Sequence, residues 1–160
     1  MTNNDILRRL RFAFDFSDQT AVSLFSLDPS SSIEITKKGF RKRICKEDET
    51  DFVTCNDVEL AAFLDGLIVY KRGLREPNSA KVTLTKDDFR LSKNDILKKL
   101  RIAMNFKEQD MLDTLKLGGS ELSKSELGAL FRKPLHKHYR SCGGQVLRNF
   151  IKGLTATLRG

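Results

Sequence analysis

Two histidines and a cysteine near the C-terminal end of the chain have side chains suited to binding a metal ion. His136, His138 and Cys142 lie within a span of seven residues, and imidazole and thiolate groups are both zinc ligands. Zinc sites normally need four protein ligands, or three ligands and a water molecule, and this spacing matches no zinc finger. The segment therefore predicts no metal site.

An acidic run at 47–51 is the second candidate for binding a cation. It reads Glu-Asp-Glu-Thr-Asp, and Ca²⁺ and Mg²⁺ prefer oxygen ligands. The run lacks the alternating acids and the central glycine of an EF-hand loop. It therefore indicates a solvent-exposed corner rather than a cation site.

The chain shows no pattern that is typical of an enzyme. It has no G-x-S-x-G nucleophile motif, no P-loop and no dinucleotide-binding fingerprint. Both histidines lie in one segment, and none of the three cysteines has an evident base beside it. We therefore predict a protein that is not an enzyme and that uses no cofactor.

Basic residues remain as candidates, because the positive charge is concentrated in one half of the chain. Residues 1–75 contain 12 Lys and Arg against 12 Asp and Glu, whereas residues 94–160 contain 13 against 6. A charge polarised in this way favours contact with the phosphates of RNA or DNA. The candidate ligand-binding residues are Lys98, Lys99, Arg132, Lys133, His136, Lys137, His138, Arg140 and Arg148.

These candidates belong to a chain that repeats itself. Residues 4–11 (NDILRRLR) return as residues 94–101 (NDILKKLR), and several residues of 55–73 return in 142–160. A repeat of this length indicates one folded unit that has been duplicated. A unit of about 70 residues has a marginal core on its own, so we expect the two copies to bury surface against each other.

Capping residues and apolar spacing predict four helices in each repeat. The helices are expected after Thr2, over about 17–27, after Thr36 and around 60–68 in the first repeat, and after Ser92, over about 107–117, after Ser123 and around 147–154 in the second. Residues 76–92 have no counterpart and are predicted to be a linker. The predicted fold is therefore all-α, with two tandem four-helix repeats, at 1–75 and 93–160, packed as one pseudo-symmetric body.

Gly66 and Gly153 stand at equivalent positions inside the two fourth helices. A glycine inside a helix costs about 1 kcal/mol relative to alanine. Its presence at the same position in both copies predicts a close approach of two helices, and the contact between the copies is the candidate place. The alternative is an accident of sequence that the duplication has kept.

The largest difference between the copies lies between the third and fourth helices. The acidic run at 47–51 aligns with 134–138, which reads Pro-Leu-His-Lys-His. Opposite charges there would help the two halves dock, or the second segment has gained a ligand-binding role; we favour docking or a plain solvated surface. Arg11 and Arg101, beside the apolar stripes of the first helices, are predicted to form structural ion pairs with nearby acids.

Several stretches of the chain resemble the YehS-like family of small bacterial proteins. They are LFRKP at 130–134, HKHYR at 136–140 followed by Cys142, LRNF at 147–150 followed by Gly153 and Leu154, KEDE at 46–49, and FLDGLI at 63–68. The resemblance covers both repeats and leaves out the linker. It implies a duplicated helical protein from a bacterium, and it implies no activity from which catalytic residues could be carried over.

The sequence therefore predicts a binding module. The first hypothesis is that the basic second repeat contacts RNA or DNA. The alternative is a protein-interaction or adaptor module, in which the charge asymmetry sets the choice of partner. No stretch approaches the roughly 18 apolar residues of a membrane span, and the N-terminus has no signal-peptide pattern, so we expect a cytoplasmic protein without a membrane partner.

Overall fold

The computed structural model describes residues 1–73 and 89–160. Within these ranges the chain forms eight helices and no strands, which confirms the all-α prediction. The helices are α1 (Asn3–Phe14), α2 (Asp18–Leu27), α3 (Lys37–Ile44), α4 (Asp57–Arg72), α5 (Lys93–Met104), α6 (Glu108–Leu117), α7 (Lys124–Leu130) and α8 (Gly144–Arg159). Most of the predicted linker, residues 76–88, lies outside the described residues.

The first helices of the two repeats have the same local structure. Thr2 and Ser92 accept hydrogen bonds from the backbone N–H groups of Asp5 and Asp95, whose carboxylates bond back to the capping residues. These reciprocal capping boxes satisfy N–H groups that a helix start leaves without partners. Both helices end at a residue in the left-handed conformation with φ 55° and ψ 41°.

The two repeats pack against each other through their first and fourth helices. Helix α1 lies against α8, and α4 lies against α5, whereas α2 packs on α4 and α6 packs on α8 within the repeats. The buried apolar side chains of both repeats form one continuous core, which includes Leu10, Phe63, Leu100 and Phe150. This shared core confirms that the repeats form one body.

The helices at the contact between the repeats begin at the same end of the molecule. The Asn3 side chain donates to the carboxylate of Asp57 (2.8 Å), and the backbone N–H of Leu91 donates to the same carboxylate (3.0 Å). Asn94, in the first turn of α5, bonds to the backbone N–H of Cys142, two residues before α8 (2.8 Å). The starts of α1, α4, α5 and α8 therefore lie together.

Two arginines join the opposite ends of the same helices. Arg72, the last residue of α4, donates to the carbonyl of Ile102 in α5 (3.3 Å), and Arg159, the last residue of α8, donates to the carbonyl of Phe12 in α1 (3.0 Å). The paired helices α1 and α8, and α4 and α5, therefore run parallel. The connections that lead into α4 and α8 consequently share one end of the body.

Gly66 and Gly153 do mark close helix approaches, but not between the repeats. A Cβ atom at Gly66 would collide with the backbone carbonyl of Leu24 in α2, and one at Gly153 would collide with the carbonyl of Thr114 in α6. The expectation that the copies meet at these glycines is wrong. The glycines instead let each short second helix lie directly on the backbone of its own fourth helix.

Within the described ranges, no helix has the length and apolar content that a membrane span requires.

Candidate functional site

Two connections of similar length lead into the long fourth helices. We call residues 45–56, between α3 and α4, the acidic loop, and residues 131–143, between α7 and α8, the basic loop. Both loops lie at the end of the body where α1, α4, α5 and α8 begin. They contain the sequence segments in which the two repeats differ most in charge.

A buried asparagine holds both ends of the basic loop. The side-chain amide of Asn94 donates to the carbonyls of Leu130 and Arg140, both at 2.9 Å. Its oxygen accepts from the backbone N–H of Cys142 at 2.8 Å. One side chain thus satisfies three backbone groups that would be costly to bury without partners, and it fixes where the loop starts and ends.

The acidic loop is held by the equivalent asparagine. Asn4 donates to the carbonyls of Arg43 and Val53, both at 2.9 Å, and accepts from the backbone N–H of Cys55 at 3.0 Å. This asparagine clamp is not among the features predicted from the sequence. A signal was present, since an identical polar residue stands next to the buried apolar positions of the first helix in both copies.

Backbone hydrogen bonds shape the interior of the basic loop. The N–H of His136 donates to the carbonyl of Lys133 (2.8 Å), and the N–H of Tyr139 donates to the carbonyl of His136 (3.0 Å). The N–H of His138 donates to Nδ1 of the His136 ring (3.0 Å). These successive turns leave the polar side chains on the outside of the loop.

Six of the predicted ligand-binding residues lie together on this loop, and all are exposed. They are Arg132, Lys133, His136, Lys137, His138 and Arg140. In the described part of the chain, one carboxylate forms an ion pair with them, that of Glu126, 3.6 Å from Arg140. Hydrogen bonds from the backbone and side chain of Ser123, with a smaller contribution from Arg140, hold the pKa of Glu126 below its usual value.

The other three predicted residues lie elsewhere. Lys98 is exposed on α5, and Arg148 is exposed on α8. Lys99 is half-buried, and its ammonium group lies 2.6 Å from the carboxylate of Asp65 on α4. Lys99 thus joins the two repeats, and the structure separates it from the basic loop.

The structure does not bring the two histidines and the cysteine together as a metal site would require. His136 and His138 are exposed with ring centroids 5.7 Å apart, whereas Cys142 is buried and burial raises the pKa of its thiol. Burial, with a contribution from Glu59, raises the pKa of the equivalent Cys55 to about 12. No group of three or more His, Cys, Asp or Glu side chains suited to a metal ion occurs among residues 1–73 and 89–160.

The two loops do not dock the repeats against each other. Within the described residues, no ion pair joins the acidic loop to the basic loop; the pairs that cross between the repeats are Asp65–Lys99 and Asp15–Arg159. The docking interpretation thus lacks the contact it requires. A ligand-binding role for the basic loop and a solvated surface remain as the alternatives.

Comparison with known proteins places the chain in a family. The family described as "Protein of unknown function (DUF1456)" matches residues 3–73 and 93–160. The chain belongs to this family. The two matched segments correspond to helices α1–α4 and α5–α8.

A relative in Escherichia coli (strain K12) matches over nearly the whole length of this DUF1456 chain. It is "Uncharacterized protein YehS", which is 38% identical over 156 residues, covering 98% of this chain and 96% of the relative. The resemblance to the YehS-like family is thereby confirmed. No solved structure matches the chain.

Near α1, three cations have carboxylate partners. The prediction that Arg11 forms an ion pair is confirmed by Asp18, 3.1 Å away. The other two pairs are Arg8–Asp5 at 2.8 Å and Arg159–Asp15 at 3.2 Å. The charges of these three residues are therefore balanced locally.

Beside α5, the equivalent cations have no carboxylate partner among the described residues. These cations are Lys98, Arg101 and Arg72. The prediction of an ion pair for Arg101 is wrong: its guanidinium lies 4.8 Å from the centre of the Phe131 ring, and its Nε donates to the carbonyl of Phe106 (3.2 Å). Ile44 stands where the second repeat has Phe131, so the first repeat offers no ring at that place.

Proposed function

We propose that this protein is a non-enzymatic binding module whose basic loop contacts the phosphate groups of a nucleic acid. The supporting observation is the asparagine-clamped basic loop, in which four cationic and two imidazole side chains are exposed and one ion pair, Arg140–Glu126, is present within the described residues. Lys and Arg bind nucleic acid chiefly by releasing the counterions that surround its phosphates. An exposed, largely unpaired set of cations is suited to that contact.

The position of the acidic loop gives the proposed contact a direction. Its four carboxylates lie at the same end of the body, so they repel a polyanion that approaches the first repeat. Phosphates are then drawn toward the basic loop, whose cations are largely unpaired. Contacts of this kind position a nucleic acid without reading its sequence, so we propose a binding mode with little sequence preference.

Charge reversal within the basic loop tests the proposal. We expect Lys133→Glu with Lys137→Glu to weaken binding to duplex DNA, single-stranded DNA or structured RNA, and to reduce the slope of log affinity against log salt by about 2. Fluorescence anisotropy at several salt concentrations measures both quantities. Affinity and slope equal to those of the unmodified chain would contradict the proposal.

The matched control reverses two exposed lysines of the first repeat. Lys37→Glu with Lys38→Glu changes the net charge by the same amount at the first turn of α3, where negative charge favours the helix dipole. We expect this variant to retain the salt slope of the unmodified chain. An equal loss of affinity and salt slope in both variants would indicate that binding depends on net charge rather than on the basic loop.

A protein partner is the second candidate. The specific observation is Leu135, which is fully exposed at 100% in the middle of the basic loop and offers an apolar contact of the kind that protein interfaces bury. This candidate predicts that none of the three nucleic acids binds even at low salt, where attraction between charges is strongest. Salt-sensitive binding of any of them would favour the first candidate.

A further inference from the structure

A cleft of about 290 Å³ lies where the C-terminal end of α4 meets α5. Arg72, Lys98 and Arg101 line it as cations, and Phe106 and Phe131 contribute rings to its wall. Within the described residues, none of the three cations has a carboxylate partner. The cleft thus combines three cations with an apolar wall.

Backbone carbonyls hold the two guanidinium groups at this cleft. Arg72 donates one N–H to the carbonyl of Ile102 (3.3 Å), and Arg101 donates its Nε–H to the carbonyl of Phe106 (3.2 Å). A guanidinium has five N–H donors, so each group keeps donors for a ligand. Because the carbonyls fix their orientation, less side-chain entropy is lost when a ligand binds.

At the equivalent place beside α1, an arginine with the same kind of backbone contact binds an anionic group. There Arg159, the counterpart of Arg72, donates to the carbonyl of Phe12 (3.0 Å) and also pairs with the carboxylate of Asp15 (3.2 Å). The chain therefore supplies its own anion to this arginine in the first repeat.

The place beside α5 keeps the arginine, which α4 of the first repeat supplies, and lacks the carboxylate. Asn105 occupies the position of Asp15, and both residues end their helices with φ 55° and ψ 41°. The same backbone thus presents a carboxylate in one repeat and a neutral amide in the other. Besides this change of charge, the two places differ in their apolar wall, where Ile44 in the first repeat corresponds to Phe131 in the second.

We propose that the cleft between α4 and α5 binds a phosphate group, with Arg72, Lys98 and Arg101 as its ligands. Arginine forks match the oxygens of phosphate and form short, charge-assisted hydrogen bonds with them. The phosphate belongs either to a nucleic acid, in which case the inference deepens the proposed function and rests on it, or to a small phosphorylated molecule. Both sources present the same oxygens to the three cations.

The test places in the second repeat the carboxylate that the first repeat already has. Asn105→Asp should fold normally, because Asp15 adopts the same backbone conformation at the equivalent position. The probe is inorganic phosphate, and the readout is the NMR signal of the Nε–Hε groups of Arg72 and Arg101. We expect these signals to shift during the titration in the unmodified chain and to remain unmoved at the same concentrations in Asn105→Asp.

The reciprocal variant is the matched control. Asp15→Asn removes the internal anion from Arg159, so we expect the Arg159 signal to acquire a phosphate-dependent shift that is absent in the unmodified chain. Unmoved signals of Arg72 and Arg101 in the unmodified chain, or equal shifts in Asn105→Asp, would overturn the proposal.

A second measurement distinguishes a nucleic-acid phosphate from a small phosphorylated ligand. It also tests phosphate binding by the cleft separately from nucleic-acid binding by the basic loop. Anisotropy with a single-stranded oligonucleotide should show that Asn105→Asp reduces the salt slope by about 1 if the cleft holds a nucleic-acid phosphate. Phosphate shifts without oligonucleotide binding would support a small phosphorylated ligand and would contradict the proposed function. Oligonucleotide binding that Asn105→Asp leaves unchanged, with no phosphate shifts, would overturn this inference and leave the proposal for the basic loop standing.

Discussion

The acidic loop and the basic loop are held by the same hydrogen bonds but present opposite charges. Asn4 and Asn94 each bond two carbonyls and one N–H, and a buried cysteine, Cys55 or Cys142, supplies that N–H in each repeat. The exposed positions between these bonds carry four acids in one loop and four cations in the other. The buried residues of the duplicated unit therefore preserve the shape of the loop, whereas the charge of its exposed residues differs between the repeats.

The arginines that contact the ends of the two first helices also have similar backbone contacts but different charged partners. Arg159 has the carboxylate of Asp15 as its partner, and Arg72 has no carboxylate partner among the described residues. The backbone bonds of the two arginines are alike. The arginine beside α5 therefore keeps a charge that no carboxylate of the described residues balances.

The largest effect is expected from removing the asparagine clamp. Asn94→Ala leaves two carbonyls and an N–H without their partner, and each such buried group costs about 1–3 kcal/mol. We expect Asn94→Ala and Asn4→Ala each to lower the free energy of unfolding by about 3 kcal/mol, measured by urea denaturation.

The two clamp variants should lose similar amounts of stability, but they should differ in their affinity for nucleic acid. At a temperature at which circular dichroism shows both variants to be folded, only Asn94→Ala is expected to weaken nucleic-acid binding. An equal loss of affinity in Asn4→Ala would break the assignment of binding to the basic loop.

The next effect is expected at the glycines of the fourth helices. Gly66→Ala and Gly153→Ala would each drive a methyl group against a backbone carbonyl of the second helix, and overpacking of this kind costs about 1–3 kcal/mol. Thermal unfolding should show similar losses for the two variants. Gly128→Ala is the control, since a Cβ there meets no atom within 4 Å and the change should be neutral or stabilising.

An effect of alkaline pH is expected from the buried thiols. Folding raises the pKa of Cys55 from 9.0 to about 12, so the folded state favours the protonated thiol. Its contribution to stability is complete below pH 9 and is lost as the pH rises toward 12, at no more than about 1.4 kcal/mol per pH unit. Urea denaturation between pH 8 and pH 11 should show a flatter decline for Cys55→Ala than for the unmodified chain; parallel declines would contradict the assignment.

The smallest effect is expected at the half-buried pair between the repeats. Lys99→Gln removes one partner of the Asp65–Lys99 pair, which lies 2.6 Å apart with 24% and 17% of the side chains exposed. We expect a loss of about 1 kcal/mol, between the values for exposed and buried pairs. Lys99→Gln should leave nucleic-acid affinity unchanged, whereas Lys133→Gln should lower it. A loss of affinity in Lys99→Gln would indicate that Lys99 also contacts the nucleic acid.

The helices and their starts could be predicted from the sequence because the signals for them are local. Thr2, Ser92 and Ser123 cap their helices as the spacing predicts, and each forms a reciprocal capping box. The duplication could be predicted because residue identities persist across it. These features together specify two four-helix repeats without any knowledge of how the repeats pack.

Features that depend on contacts between distant residues could not be predicted. The glycines of the fourth helices indicate a close approach but not its partner, since any helix backbone would satisfy the pattern. Lys98 and Lys99 are neighbours in the sequence, and the position of α4 alone places Asp65 beside the second of them. Glu108 stands where the first repeat has Asp18, yet the guanidinium of Arg101 lies over the ring of Phe131 and forms no ion pair with Glu108.

The most direct test of the central claim is the salt dependence of nucleic-acid binding in the two matched charge-reversal variants. Anisotropy should show a salt slope reduced by about 2 for Lys133→Glu with Lys137→Glu, and an unchanged slope for Lys37→Glu with Lys38→Glu. That result would place the phosphate contacts on the basic loop. Equal slopes in both variants and in the unmodified chain would contradict the account.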